Sequence, residues 1–273
     1  MIAKIIDKNK IEVYDLTQFD IAAIMHSGQV FRYFEKPRGY LLVVGNNYAD
    51  IDIESGKVVI NCNDSGFFWN YFDLDTDYNE IKQQLYKYES ISPAIAAGGG
   101  IRILRSEFNE MVISFIISAN NNIKRFTKTL NRLAEGYGNK LPNGLYSFPT
   151  LEQLSPVTEA DYKAFGCGYR APYLVKAVER LKKINIDEWS ALPKALLDKK
   201  LLSIPGIGPK VCSCVKLFSG KIHQIDACPL DTWLHKALEQ LNENDREVLL
   251  NHKYAGIAQQ YIFYYLQHLH KEL

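Results

Sequence analysis

The hydrophobic period of this chain changes at Gly98-Gly99-Gly100, and that change restricts the fold more than any other feature. Before the glycines, the segments IEVYDL, QVFRYF, GYLLVVG, YADIDI and KVVINC are short, rich in β-branched and aromatic residues, and separated by the turn signals KPRG, GNN and ESGK. Such segments read as strands. A helix over residues 17–26, a second one capped near Asp75 or Thr76 and running through NEIKQQLYKY, and a short one from Ser92-Pro93 flank them. After the glycines the period becomes helical, in FNEMVISFIISA, NNIKRFTKTLNRLAEGYG, YRAPYLVKAVERLKKI, ALPKALLDKKLLSI, GPKVCSCVKLFSG, PLDTWLHKALEQL and AGIAQQYIFYYLQHLHKEL. Strands followed by a run of helices predict an α+β chain, with an antiparallel β-sheet domain and flanking helices over 1–100 and an all-α domain over 101–273. The glycine run is expected to act as a hinge-like break between them.

The net charge is +1, which by itself points to no polyanionic partner. Its distribution is uneven: residues 101–273 hold 23 Lys+Arg against 17 Asp+Glu, and the first hundred hold 9 against 14. A nucleic-acid surface, if there is one, belongs on the second part. The start, MIAKIIDKNKIEVYD, lacks a signal-peptide apolar region, and no stretch approaches a membrane span. Five cysteines (Cys62, Cys167, Cys212, Cys214 and Cys228) are an odd number without framework spacing, so reduced thiols and no metal cluster are expected. These readings point to a protein of the cytoplasm, nucleoid-associated in a prokaryote, with no metal and no cofactor.

The segment LLSIPGIGPKVCSCV, residues 201–215, carries the functional signal. One helix ends near Ile204, a P-G-I-G turn follows, and a second helix starts at Pro209, where proline removes an N–H that has no intrahelical partner. Gly206 and Gly208 are expected to permit positive φ and close approach of another backbone. The turn presents N–H groups at a helix N-terminus, a site suited to phosphate. Taken alone, it could equally be a plain turn between packed helices. Lys210 lies in the first turn of the second helix, and Asp231 follows 21 residues later in P-L-D-T-W.

This hairpin, with Lys210 and Asp231, resembles the helix-hairpin-helix glycosylase superfamily, in which a lysine at the hairpin is the nucleophile and an aspartate at the next helix start assists. SGQVFR (27–32), SANNNIKR (118–125), GCGYRAPY (166–173) and YAGIAQQYIF (254–263) are similar to segments of the 8-oxoguanine DNA glycosylase/AP lyases. The resemblance spans nearly the whole chain, including the sheet domain.

It implies that Gly28 offers a backbone carbonyl to N7–H of the lesion, that Cys214 and Phe263 face the base from opposite sides, and that Gln259 hydrogen-bonds its Watson–Crick edge. It also implies that Asn120, Arg125 and Arg170 hold the orphaned cytosine and that Tyr169 is the wedge beside them. Gly206 and Gly208 would meet the DNA backbone. Each of these residues has a plainer alternative: Gly28 as a helix terminator, Cys214 as a small buried hydrophobe, the arginines as phosphate contacts. Trp233 departs from the family, which commonly has a histidine two residues after the aspartate.

The chemistry suits the pair. A neutral lysine amine can attack C1′ as the base leaves and hold the sugar as a Schiff base, while a carboxylate stabilises the cationic transition state. The expected function is a bifunctional, monomeric glycosylase/AP lyase that flips 8-oxoguanine out of double-stranded DNA and excises it, preferentially opposite cytosine, with β-elimination. The alternatives are an alkylated-base DNA glycosylase and a non-catalytic helix-hairpin-helix DNA-binding protein.

Overall fold

The computed structural model describes residues 2–230 and 232–268, apart from the side chains of Thr232, Trp233 and Val248. Six strands form one antiparallel sheet: β1 (Ala3–Asp7), β2 (Lys10–Val13), β3 (Tyr33–Lys36), β4 (Gly39–Val44), β5 (Asn47–Glu54) and β6 (Lys57–Cys62), in the order β1-β2-β6-β5-β4-β3. The first strand, AKIID, has adjacent Ile5 and Ile6 in place of a clean alternation; pairing with β2 makes it a strand. QVFRYF is a strand only from Tyr33. Its first half dives into the protein interior, where Val30 and Phe31 are buried.

One face of the sheet, with Ile11, Val13, Leu42, Val44, Ala49, Ile51, Val58 and Ile60, packs on Phe19, Phe68, Tyr71 and Phe72. These come from α1 (Ile21–His26), α2 (Ser65–Tyr71) and their flanks. Each fully buried side chain of this size contributes about 1.5–3 kcal/mol relative to exposure. The antiparallel meander fixes register, and a slip of one residue would turn this apolar set to water.

The next two helices, α3 (Tyr78–Leu85) and α4 (Ser92–Gly98), follow the sheet in sequence. The N-cap of α3 is Asp77, whose side chain accepts from Asn79 N–H at 2.8 Å, and not Asp75 or Thr76. Ahead lie α5 (Phe108–Ser118), α6 (Ile123–Tyr137), α7 (Leu151–Leu154), α8 (Glu159–Ala164), α9 (Ala171–Leu181), α10 (Ile186–Ser190), α11 (Lys194–Leu202), α12 (Pro209–Phe218), α13 (Thr232–Gln240), α14 (Glu243–Asn251) and α15 (Ala255–His268). Tyr78, Ile81, Leu85, Ala94 and Ile95 share the core of these later helices, as do Ala23 and Phe31, while Leu104 packs in the sheet core. Charge and periodicity change at residue 100; packing does not divide there.

The glycine run is no hinge. Gly98 closes α4 against Tyr261 of α15, and a Cβ on Gly100 would stand 2.6 Å from Cβ of Asp20. Asp20 N–H donates to Gly100 O at 2.8 Å. The glycines are there because α15 and the start of α1 approach the backbone closely.

Two buried charged groups hold the sheet unit to the helices. Arg102 is fully buried; its guanidinium donates to the carbonyls of Phe72 (3.0 Å), Gln18 (3.2 Å), Thr76 (2.7 Å) and Asp73, and it stacks on Tyr78. A buried cation without such acceptors would be strongly destabilising. Glu110 of α5 accepts from Gly45 N–H in the β4–β5 turn at 2.7 Å. Burial pushes its carboxyl up to about 7, with Arg32 and the Gly45 N–H opposing.

Candidate active site

The hairpin forms between α11 and α12. Ile204 and Ile207 are buried and pin the turn from below, and Ile207 N–H donates to Ile204 O at 3.1 Å. Gly206 has φ +90°, and a Cβ there would lie 3.1 Å from both Ile116 Cγ2 and Tyr173 Cβ, so both conformation and space call for glycine. Gly208 differs from expectation: its φ is −96°. It needs no left-handed conformation, and a Cβ on it would meet nothing within 4 Å; the bare backbone simply leaves the start of α12 open to an incoming group. Pro209 is the first helical residue, and Cys212 N–H donates to Gly208 O at 2.9 Å to close the first turn. The N–H groups of Lys210 and Val211 come too early for an intrahelical acceptor and point along the positive end of the helix dipole.

Lys210 is exposed and lines a cleft of about 610 Å³. Gly28, Phe263, Cys214, Asn120, Leu230 and His235 line the same cleft, and Phe31, Phe115 and Phe126 contribute its aromatic side. The Phe31 ring stands edge-on to Phe115 and Phe126 at 5.6 and 4.7 Å. A larger concavity of about 800 Å³ lies among Lys87, Glu89, Glu243, Asp245, Glu247 and His252. Its carboxylates make it a poor host for a polyanion.

One wall of the cleft is built where α1 meets α15. Gly28 has φ +77° and directly follows Ser27, the C-cap of α1, so it does terminate that helix. It is also part of the wall: a Cβ there would stand 2.8 Å from Phe263 Cε1. Gln260 donates to Ser27 O and locks the two helices together. Gln259, one turn before Phe263, is buried but does not line the cleft; its Oε1 has no hydrogen-bond partner. Cys214 is buried and lies one turn after Lys210 on α12.

The other side is the loop after α5. Asn120 has φ +50°, a left-handed conformation that asparagine tolerates better than most residues, and its Nδ2 reaches Tyr169 Oη at 3.4 Å. Tyr169 is 57% exposed, the most exposed large hydrophobic side chain among the described residues. Arg170 is placed differently from its expected role at the opposite base. It is buried beneath Tyr169, donating through Nε to Ala119 O at 2.7 Å and through its terminal nitrogens to Ala119, Asn120 and Cys167 carbonyls. Those donors hold the loop in this structure. Arg125 is exposed in the first turn of α6, whose N-cap Asn122 accepts from its N–H at 2.8 Å; its side chain is not among the cleft-lining ones.

Asp231 and the Trp233 side chain lie outside the described residues. Leu230, directly before Asp231, and His235, four residues after it, both line the cleft. The sequence reading missed His235 and Gln267; helical spacing from Asp231 and Phe263 would have found them, because residues four apart share a helix face. Among the described residues no group of three or more His, Cys, Asp or Glu could hold a metal ion, and no helix is long and apolar enough to cross a membrane.

A helix-hairpin-helix turn beside a lysine-lined cleft, attached to an antiparallel sheet, defines a class of DNA-backbone-binding folds. Residues 13–112 match the 8-oxoguanine DNA glycosylase N-terminal domain, and residues 113–253 match the HhH-GPD superfamily base excision DNA repair protein family. The chain therefore belongs to the HhH-GPD superfamily, in the branch that carries the 8-oxoguanine DNA glycosylase N-terminal domain.

The crystal structure of the Clostridium acetobutylicum 8-oxoguanine glycosylase/lyase, in complex with double-stranded DNA containing cytosine opposite 8-oxoG, is similar with a TM-score of 0.89 and 32% identity; the match covers 98% of this chain and 99% of that one. The N-glycosylase/DNA lyase of Saccharomyces cerevisiae is 33% identical over 178 residues, 59% of this chain and 47% of the relative. The Arabidopsis thaliana N-glycosylase/DNA lyase OGG1 is 38% identical over 142 residues, 49% of this chain and 38% of the relative. The matches thus span less than half the length of these two curated relatives.

Proposed function

We propose that the chain is a bifunctional DNA glycosylase/AP lyase that removes 8-oxoguanine from double-stranded DNA, with a preference for cytosine opposite the lesion. The observation that carries this reading is the position of Lys210: it opens the helix whose N-terminus can hold a phosphate, and it faces a cleft wide enough for a base, walled by Gly28 and Phe263. Base flipping would bring the damaged nucleotide into that cleft.

In this mechanism the Lys210 amine attacks C1′ as the glycosidic bond breaks, and loss of the sugar-ring oxygen link leaves a Schiff base. Asp231 stabilises the developing positive charge and takes up the amine proton. Two features support recognition of the lesion on the Gly28 side. A carbonyl fixed by an αL glycine distinguishes the N7–H donor of 8-oxoguanine from the N7 acceptor of guanine, and the unpartnered Oε1 of Gln259, one turn before Phe263 and behind the cleft wall, would accept from a Watson–Crick N–H once a seated base displaces that wall. On the other side, Asn120 and Arg125 are the donors for the N3 and O2 acceptors of cytosine, and Tyr169 fills the space left in the stack. Arg170 serves them by shaping their loop.

Borohydride trapping on a duplex with one 8-oxoguanine tests the reading. A covalent adduct that needs Lys210 is the expected result. An alkylated-base glycosylase, working without a nucleophilic lysine, or a non-catalytic binding module would bind DNA and leave no adduct.

A further inference from the structure

We propose that His235 is the group that accepts the C2′ proton in the strand-cleaving step. This rests on the glycosylase/lyase reading above. Once Lys210 has formed the Schiff base its nitrogen is bonded to C1′ and can no longer serve as a free base. Of the other described side chains lining the cleft, Ser118, Asn120, Asn121 and Gln267 are not basic, and Cys214 is buried. Among the described residues His235 remains: it is exposed, it sits on the first turns of α13, and it lines the same cleft as Lys210.

An imidazole is suited to this step, since it is the side chain whose ordinary titration range lies closest to neutrality and its neutral form carries a free lone pair. Asp231 is an acceptor too, but a carboxylate is the weaker base, and its charge is best used opposite the cationic carbon and iminium.

Atoms and electrons balance in this step. The neutral imidazole nitrogen takes a proton from C2′; the C2′–H electron pair forms the C2′=C3′ double bond; the C3′–O bond breaks, and the 3′ phosphate leaves with its electron pair. The lysine-bound sugar becomes an unsaturated iminium that water later hydrolyses, and His235 returns its proton to solvent. No oxidant or metal is required.

The experiment compares wild type, His235→Ala and His235→Gln on a duplex containing 8-oxoguanine, measuring base release, borohydride-trapped adduct and nicked strand in the same time course. His235 is exposed, so both variants should keep the wild-type thermal midpoint. The expected result is a ratio of nicked to trapped strand that falls roughly a hundredfold in both variants, the range for a positioned base, and that imidazole added to His235→Ala restores. A ratio equal to that of wild type overturns the proposal. So does a parallel fall of DNA binding, trapping and nicking, which would make His235 a phosphate contact. A wild-type protein that releases no base and traps no adduct sinks the glycosylase/lyase reading, and this proposal with it. Normal trapping with an unchanged ratio sinks the His235 role alone.

Discussion

The two sides of the cleft are built on opposite principles. On the Gly28 side, where the sheet unit meets α15, the contacts are buried and interlocked: Gly28 against Phe263, Ser27 O held by Gln260, and Gln29 buried and bonded to Ser27, Arg102 and Leu104. On the Asn120 side the side chains of Asn120, Arg125 and Tyr169 are exposed, and a buried arginine, Arg170, holds the Asn120 loop from beneath. Under the proposed function, the difference is what two kinds of reading require. Telling one atom of a damaged base from its normal form needs a fixed acceptor in a site closed to water, where an unpaired group is costly. Reading an orphaned base needs donors that can reach into the stack and let go again.

Both sides serve Lys210, so the largest effect is expected there. Lys210→Gln should remove base release and borohydride trapping together while duplex binding survives, since phosphate is held by backbone N–H groups and other basic residues. A gel-shift assay beside the trapping assay checks this, and wild-type excision by the variant would take the nucleophile role away from Lys210.

On the Gly28 side, Gly28→Ala should lower 8-oxoguanine excision by roughly ten- to a hundredfold, the worth of one good contact of about 1–3 kcal/mol. The added methyl meets both the φ of +77° and the Phe263 ring. Excision at the wild-type rate, on 8-oxoguanine and on an analogue that cannot donate from N7, would return Gly28 to helix termination alone.

The other buried contact between the sheet unit and the helices, Glu110 of α5 against the β4–β5 turn, predicts a pH effect. The Glu110 carboxyl is raised from its ordinary 4.5 to about 7 in the folded protein. Its contribution to stability is therefore full below about pH 4.5 and is lost as pH rises through about 7, at most about 3 kcal/mol. Denaturant melts of wild type and Glu110→Gln between pH 5 and 8 should diverge, with the variant flatter and more stable at the upper end. Parallel curves would contradict a buried Glu110 carboxyl with a raised pKa.

On the Asn120 side, Arg170→Ala should cost about 1–3 kcal/mol of stability by leaving the Ala119, Asn120 and Cys167 carbonyls short of donors, and should weaken the preference for cytosine over adenine opposite the lesion. If the preference collapses with stability intact, Arg170 reaches the base itself. The smallest stability change belongs to Asn120→Gly, within about 0.5 kcal/mol, because glycine adopts φ of +50° freely but loses more entropy on folding. Single-turnover excision opposite each of the four bases should still show a lower preference for cytosine. An unchanged preference would confine Asn120 to shaping the loop.

The amino-acid sequence alone determined that a strand-rich part precedes a helical one, the hairpin at 204–209 and the positions that could carry chemistry, because these follow from local period, turn chemistry and spacing. It also located the Gly28 and Phe263 segments, 235 residues apart, but only the folded chain puts one against the other. Three things were decided by tertiary contact. AKIID becomes a strand through pairing with β2, the glycine run is tight packing instead of a hinge, and Arg170 is spent on carbonyls of its own protein. For the glycine run and Arg170 the deciding partner is distant in sequence, from Asp20 against Gly100 to Ala119 beneath Arg170, and neither periodicity nor residue type records which backbone groups a fold will bring within hydrogen-bonding reach.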